Sequence, residues 1–398
     1  MKQYRRTLEK LMEGILFSSS TITSLTVILI VVFLFREGLG IFTRSPLDKN
    51  YVIAVSKANP VKDLSSDQLR AIFNQDITNW SRVGGKNDSI ILFTTNDITN
   101  YYSEEELGAS FEYLPGKLDE FISTHPGALM HINNKDIPKD FPGRIIHVRN
   151  ISVGDFLFGK QWYPTSEPIP GFGIWPMIIG TLMVTFGALL IALPLGLATA
   201  LFLAEVADIR VRNVVKPLVE LLAGIPSVVF GFFGLIVIVP FIQRVFHLDV
   251  GETVLAGSVV LGIMALPTIV TIAEDALRTT PRSLKEASLA LGATRWQTLR
   301  RVTIPYAGSG ISAAVVLGVG RAIGETMAVL MVTGNASTVP HSFLVPARTM
   351  PATIAAELGE APYGGAHFKA LFALGIVLFL FTIAVNMTVA YIKKGERK

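Results

Sequence analysis

The stretch MIIGTLMVTFGALLIALPLGLATALFL, residues 177–203, carries no charged side chain. About 20 residues of α-helix cross the hydrocarbon core of a bilayer, so this run is long enough to span one. Five more apolar stretches reach that length, at 15–35, 214–242, 254–273, 311–332 and 370–392. A buried core helix would explain any one of them, but six in one chain point to an integral membrane protein. Composition agrees, with half of the 398 residues hydrophobic and 17% charged, below the ~25% of soluble domains. The lack of cysteine excludes a disulfide scaffold, a zinc–thiolate or iron–sulfur site and a cysteine nucleophile.

The first apolar run follows a basic start, as a signal peptide does. It is about twice as long as an ordinary signal core, and Arg36-Glu37 follows it in place of a small-residue cleavage site. It is therefore expected to be a retained helix. Lys and Arg set the orientation of such a bundle, because they concentrate in cytoplasmic loops. With the N-terminus inside, the inner segments carry Lys2, Arg5, Arg6, Lys10, Arg210, Arg212 and Lys216, then Arg278, Arg282, Lys285, Arg295, Arg300 and Arg301, and finally Lys393, Lys394, Arg397 and Lys398. The short outer loops hold only Arg244, Arg348 and Lys369. Both termini are thus expected in the cytoplasm, with the chain multi-pass in the membrane. The formal net charge of +4 then needs no nucleic-acid partner. Pro194, Pro226, Pro267, Gly224, Gly231 and Gly234 lie at membrane depth, which suits close helix packing more readily than a pathway role.

Residues 36–165 form a charged, slightly acidic insert between the first two spans. Strand-like runs at 51–55, 89–93, 127–132 and 144–148 alternate with helix signals at 67–73, capped by Ser65 or Ser66, and at 118–124. This is a small extracytoplasmic α/β domain. His125, His131 and His147 show no metal-ligand spacing. The passage Asn59-Pro60-Val61, Leu64-Ser65, Gln68-Leu69-Arg70-Ala71-Ile72-Phe73, Ile77-Thr78-Asn79-Trp80 and Val83-Gly84-Gly85-Lys86 resembles a stretch of periplasmic phosphate-binding proteins. Where those proteins continue into an anion-holding Arg and Ser-Gly-Thr, this chain reads Thr94-Thr95-Asn96-Asp97, then Glu104-Glu105-Glu106, whose carboxylates repel an anion. A docking or structural role is favoured over ligand capture.

The segment 274–310 is the most informative. Pro281 suits a helix start, and a helix at 282–291 would end at Gly292, which reaches the positive φ that terminates helices. Thr294-Arg295-Trp296-Gln297 has the form of a capping box, opening a second, basic helix towards Pro305. An interfacial helix held by anionic lipid would also fit these residues. Glu286-Ala287-Ser288, Gly292, Val302, Ile304 and Pro305 resemble, in type and spacing, the EAA loop of ABC-importer permeases. That resemblance implies a coupling helix docked on an ATPase, with Glu286, Ala287, Gly292 and Pro305 fixing the docking geometry. G-x4-G-K-[ST] occurs nowhere in the chain, so ATP and Mg are assigned to a separate ATPase subunit and this chain is expected to hold no cofactor.

Arg321 stands near the centre of the run 311–332, where a lone Arg costs about 2.5–3.5 kcal/mol. Glu325 follows at i+4, the spacing of a same-face helical pair. Two readings are open: a self-neutralised structural pair, or a polar site on a transport path. The string Gly318-Val319-Gly320-Arg321-Ala322-Ile323-Gly324-Glu325-Thr326-Met327-Ala328-Val329 resembles the fifth-helix signature of phosphate ABC-transporter permeases, the PstC type in particular.

The expectation is an all-α polytopic membrane protein with six transmembrane helices, an ABC importer type I permease, carrying an inserted small α/β extracytoplasmic domain. Its parts would be 1–35, the insert 36–165 and a permease core at 166–398. The resemblance implies phosphate import with a second, PstA-like permease, two ATPase subunits and an extracytoplasmic phosphate-binding protein, with Arg321 and Glu325 on the path. Another oxyanion, molybdate or sulfate, is the first alternative. A membrane receptor sensing a ligand through its outer domain is the second.

Overall fold

A computed structural model describes residues 2–43, 47, 50–108, 110–166 and 168–395. Of the basic residues used for orientation, Arg397 and Lys398 lie outside these described residues. The chain forms two compact units, one of Met1–Gly173 with Pro362–Ala370, the other of Ile174–Ala361 with Leu371–Lys398.

The first unit begins with the helix Lys2–Leu39, whose part Met12–Leu39 is long and apolar enough to span. Five strands follow in a sheet: β1 (Tyr51–Ser56), β2 (Asp63–Leu64), β3 (Ile91–Thr94), β4 (Ala128–Asn133) and β5 (Gly143–Val148). Their spatial order is β2-β5-β1-β4-β3. β1 runs antiparallel to β4 and β5, while β2–β5 and β3–β4 are parallel. The period-2 alternation of a strand sends Ile53 and Val55 to one face, against Leu69 and Ile72 of the helix Ser66–Phe73. Ala54, Met130 and Ile132 face the other way, onto Leu118, Phe121 and Ile122 of the helix Leu114–Thr124. A sheet covered on both faces by helices is the three-layer α/β arrangement. Ser65 caps the first of these helices: its Oγ accepts from the Gln68 N–H at 3.2 Å and the Gln68 side chain accepts from the Ser65 N–H at 3.0 Å. The second helix starts at Leu114 and not at 118, because Pro115 fits its first turn, where no N–H is required.

In the second unit the helix Trp175–Leu201 packs along Val254–Arg278, the most deeply buried of the candidate spans. The approach is close enough that a Cβ at Gly187 would sit 2.3 Å from Ser258 Oγ, the small-residue contact of membrane helices. Gly231 and Gly234 are likewise packed tightly, against Met331 and Val260. Among the described residues, six helices are long and apolar enough to span, Met12–Leu39, Trp175–Val206, Ser227–Phe246, Val254–Arg278, Arg295–Gly324 and Ala366–Thr388.

Two expected spans differ. The run 214–242 is not one helix: Ile209–Ala223 stops at Gly224, and Ser227–Phe233 begins a new one after Pro226. A proline disfavours helical backbone in the residue before it, so Ile225-Pro226 breaks the run. The run 311–332 is also two pieces. A helix from Arg295 continues to Gly324, and Met327–Val332 is separate. The basic helix opened by Thr294 does not stop at Pro305 but passes through it, by way of a π-turn at Leu299–Thr303. A second π-turn, Gly234–Ile238, precedes Pro240 in the same manner. The wider turn removes the clash between a proline ring and the carbonyl one turn back.

Candidate functional site

The segment 274–310 has the expected local form. Arg282–Ala290 is helical with Pro281 at the N-cap, and Gly292 lies at φ +84 with its N–H donated to Leu289 O at 2.9 Å. Thr294 Oγ1 accepts from the Gln297 N–H at 3.2 Å, and the Gln297 side chain accepts from the Thr294 N–H at 2.9 Å. Ser288, the departure from the family's second Ala, places its Oγ 2.9 Å from Thr298 Oγ1 and so ties the two helices across the turn. Glu286, Ala287, Gly292 and Pro305 are all exposed. Leu291 at the tip is 90% exposed and Trp296 66%, an apolar surface that a solvated loop would not carry. Lys285 forms an ion pair with Glu205, at the end of Trp175–Val206. The groove beside the loop, about 470 Å³, is lined by these two residues together with Leu289, Trp296 and Leu299.

A second cluster lies just before the loop. The side chain of Glu274 is 1% exposed and faces three cations. Arg212 Nη2 is 2.9 Å and Arg278 Nη1 3.5 Å from its Oε1, and Lys216 Nζ is 3.0 Å from Oε2. Lys216 also reaches Asp275 at 3.2 Å. Burial acts to lower the Lys216 pKa, but its bonds to Glu274 and Asp275 outweigh it and hold the ammonium above its ordinary range. A buried carboxylate needs such partners, and removing one from a buried pair typically costs about 3–5 kcal/mol.

The structure corrects the Arg321–Glu325 expectation. Arg321 is not at mid-span but three residues before the helix ends at Gly324. Glu325 has extended backbone, φ −70 and ψ 134, so the i,i+4 geometry that would pair the two is gone. Among the described residues no ion pair joins them. Glu325 Oε1 instead accepts from the Ala328 N–H at 3.4 Å, at the start of Met327–Val332. Arg321 Nη1 donates to Thr268 Oγ1 at 3.1 Å, and the residue is half-buried. Neither Thr268 nor Glu274 was marked by the sequence reading. The available signals were a hydroxyl directly after Pro267 in an apolar helix and an acidic residue within reach of Arg278 at i+4.

In the insert, the groups at the place of the missing anion segment are used locally. Thr94 Oγ1 accepts from the Asp97 N–H, and Ser103 with Glu106 forms a capping box whose backbone N–H holds the Glu106 carboxyl below its usual range. A cleft of about 250 Å³ lies elsewhere, lined by Asp67, Arg70, Asn74, Asp76, Lys160 and Gln161. Arg70 donates there to Pro170 O at 2.7 Å, and burial pushes its pKa down. His131 stacks on Tyr51, ring centroids 4.6 Å apart, and His125 on Phe121 at 4.4 Å. Among the described residues no three His, Asp or Glu side chains are grouped to hold a metal ion.

Residues 40–137 match the model of the PBP superfamily domain. The chain is 43% identical over 250 residues to a probable ABC transporter permease protein YqgH of Bacillus subtilis, covering 63% of this chain and 81% of that protein. It is 40% identical over 255 residues to the phosphate transport system permease protein PstC of Mesorhizobium japonicum, covering 59% and 77%. Among solved structures, an inward-facing MetNI methionine ABC transporter aligns with 22% identity and a TM-score of 0.43, over 56% of this chain and 94% of that one. Residues 192–398, over half of the chain, match the model of the binding-protein-dependent transport system inner membrane component. This is a multi-pass inner membrane protein of that family, a transporter component whose ATPase is a separate subunit.

Proposed function

We propose that this chain is the PstC-type permease of an ABC importer for inorganic phosphate. The observation that carries the reading is Arg321, a half-buried guanidinium at a helix end that is held by a hydroxyl and not by a carboxylate. Its charge is left for an anion. Glu325 stands at the adjoining break and lines the same path. A PstA-like permease supplies the facing half of that path, and a phosphate-loaded binding protein delivers to the outer end. Two ATPase subunits, which bind ATP and Mg, dock on the loops carrying Glu286, Ala287, Gly292 and Pro305. This places both termini in the cytoplasm and the insert outside, where it serves as a docking or structural domain. The 40% identity to PstC supports the phosphate assignment over another oxyanion. A ligand-sensing receptor has no use for the coupling loop.

The test is ATP-dependent uptake of radiolabelled phosphate by the assembled transporter in proteoliposomes. Uptake is expected, with excess sulfate or molybdate competing poorly. Competition by either as strong as that of unlabelled phosphate would remove the assignment.

A further inference from the structure

The helix Ile209–Ala223 buries none of its side chains. Val214, Leu218 and Leu221 are exposed, at 60%, 56% and 68%, whereas Arg212 and Lys216 turn to Glu274. At the loop end the helix is therefore fastened to Val254–Arg278 by charge, while towards its other end Leu222 packs on the cluster containing Val260 and Met264. The fastening sits one turn from the end of Val254–Arg278, and only Thr279, Thr280 and Pro281 separate that end from the coupling helix Arg282–Ala290. Arg278, the third cation, is the last residue of the span itself. The cations come from two helices and close on one carboxylate that is 1% exposed, so salt and solvent loosen the contacts of Arg212 and Lys216 less than they would a surface pair.

We infer that Glu274 is a positioning residue: through Arg212, Lys216 and Arg278 it makes the helix Ile209–Ala223 travel with the coupling helix during the ATP cycle. Movement of the docked loop is thereby carried to Ile209–Ala223, which leads through Gly224-Ile225-Pro226 into the span Ser227–Phe246. The Ile225-Pro226 break leaves that span free to turn against it. A helix held by apolar burial would slide with small loss, whereas a buried ion cluster has one arrangement and transmits displacement. The inference rests on the importer reading for its direction, but the distance readout of its test does not depend on the substrate.

The chain has no cysteine, so a pair of spin labels can be placed, at Leu218→Cys and Ser283→Cys, both exposed positions. In the assembled complex their distance is expected to be the same in the nucleotide-free and the ATP–vanadate-trapped states. With Glu274→Gln it is expected to differ between the two states, and phosphate moved per ATP hydrolysed to fall about fivefold or more, the lower end of measured inter-site couplings. Should Glu274→Gln fail to assemble, Lys216→Met is expected to give the same change, with Lys216→Arg restoring the ratio. A purely structural role would lower thermal stability and both rates together, leaving the ratio unmoved. A label distance that changes in the unsubstituted chain, or variants with an unaltered distance and ratio, would overturn the inference. Absent phosphate uptake with the distance behaving as expected would instead count only against the phosphate assignment.

Discussion

At the loop end of Val254–Arg278, the Glu274 carboxylate is surrounded by three cations and shut away from water. Further along the same helix, at Thr268, the Arg321 guanidinium meets one hydroxyl. The first arrangement sets three cations against one buried carboxylate. The second leaves most of its five donors unused, which is unfavourable in a packed membrane unit unless something else takes them up. The helix Val254–Arg278 thus carries one charge that its partners hold, at Glu274, and at Thr268 meets a second, Arg321 of the helix Ile304–Gly324, which the proposed function keeps for an anion.

The largest effect is expected from removing the receiving charge. Arg321→Gln should lower phosphate uptake by at least about tenfold, since a hydrogen bond to a charged group is worth roughly 1.5–3 kcal/mol. Co-purification of the subunits should be unchanged, and normal uptake would make Arg321 a packing residue and end the contrast. Gly292→Leu comes next. A side chain at φ +84 costs about 1–2 kcal/mol, so coupling should weaken about tenfold, read as uptake per ATP. Glu325→Gln sharpens the comparison, because the amide oxygen can still accept from the Ala328 N–H. Its effect on uptake should be smaller than that of Arg321→Gln, and an equal loss would mean that the two charges work as a pair.

The smallest effect concerns Asp67, whose carboxyl is raised by burial, then lowered in part by Arg70 and raised again by Asp155. A raised folded pKa means that the folded state binds the proton more tightly than the unfolded one. Stability is therefore gained as pH falls through the folded pKa, up to the unfolded value near 3.8, and is reduced above it. Asp67→Asn should raise the thermal midpoint of the complex slightly at neutral pH, and the gain should vanish as pH approaches 4. A gain independent of pH would assign the effect to packing. Asp67 thus offers a carboxylate neither clamped like Glu274 nor left to receive like Arg321.

Features closed within a few residues were legible before the structure. The Ser65 cap, the capping box at Thr294–Gln297 and the positive φ of Gly292 depend on neighbours alone, and strand alternation marked the sheet. The errors came where the outcome depended on whether a helix continues. Lys216 and Glu220 in 214–242, and Arg321 and Glu325 in 311–332, are too few to interrupt a mostly apolar run, so hydropathy reads through the breaks at Ile225-Pro226 and Glu325-Thr326. The i,i+4 pairing of Arg321 with Glu325 inherited the second error. Glu274 was missed for a related reason: Arg212 and Lys216 are distant in sequence, and only packing brings them to it.

The sheet of the insert has a consequence for the order of synthesis. Its central strand, β1, is made first, yet its neighbours on either side are β4 and β5. Tyr51 pairs with Asn133, and Ile53 with Ile146. As the chain emerges, β1 must wait unpaired while all the intervening residues are translated. Such non-local pairing is slow, because loop closure precedes any gain from contact, and an apolar strand without partners invites association with other chains. The preceding helix Lys2–Leu39 would by then already be tethered in the bilayer, which limits the nascent strand's encounters with soluble chains. The retained N-terminal helix would in this way protect the folding of the domain that follows it.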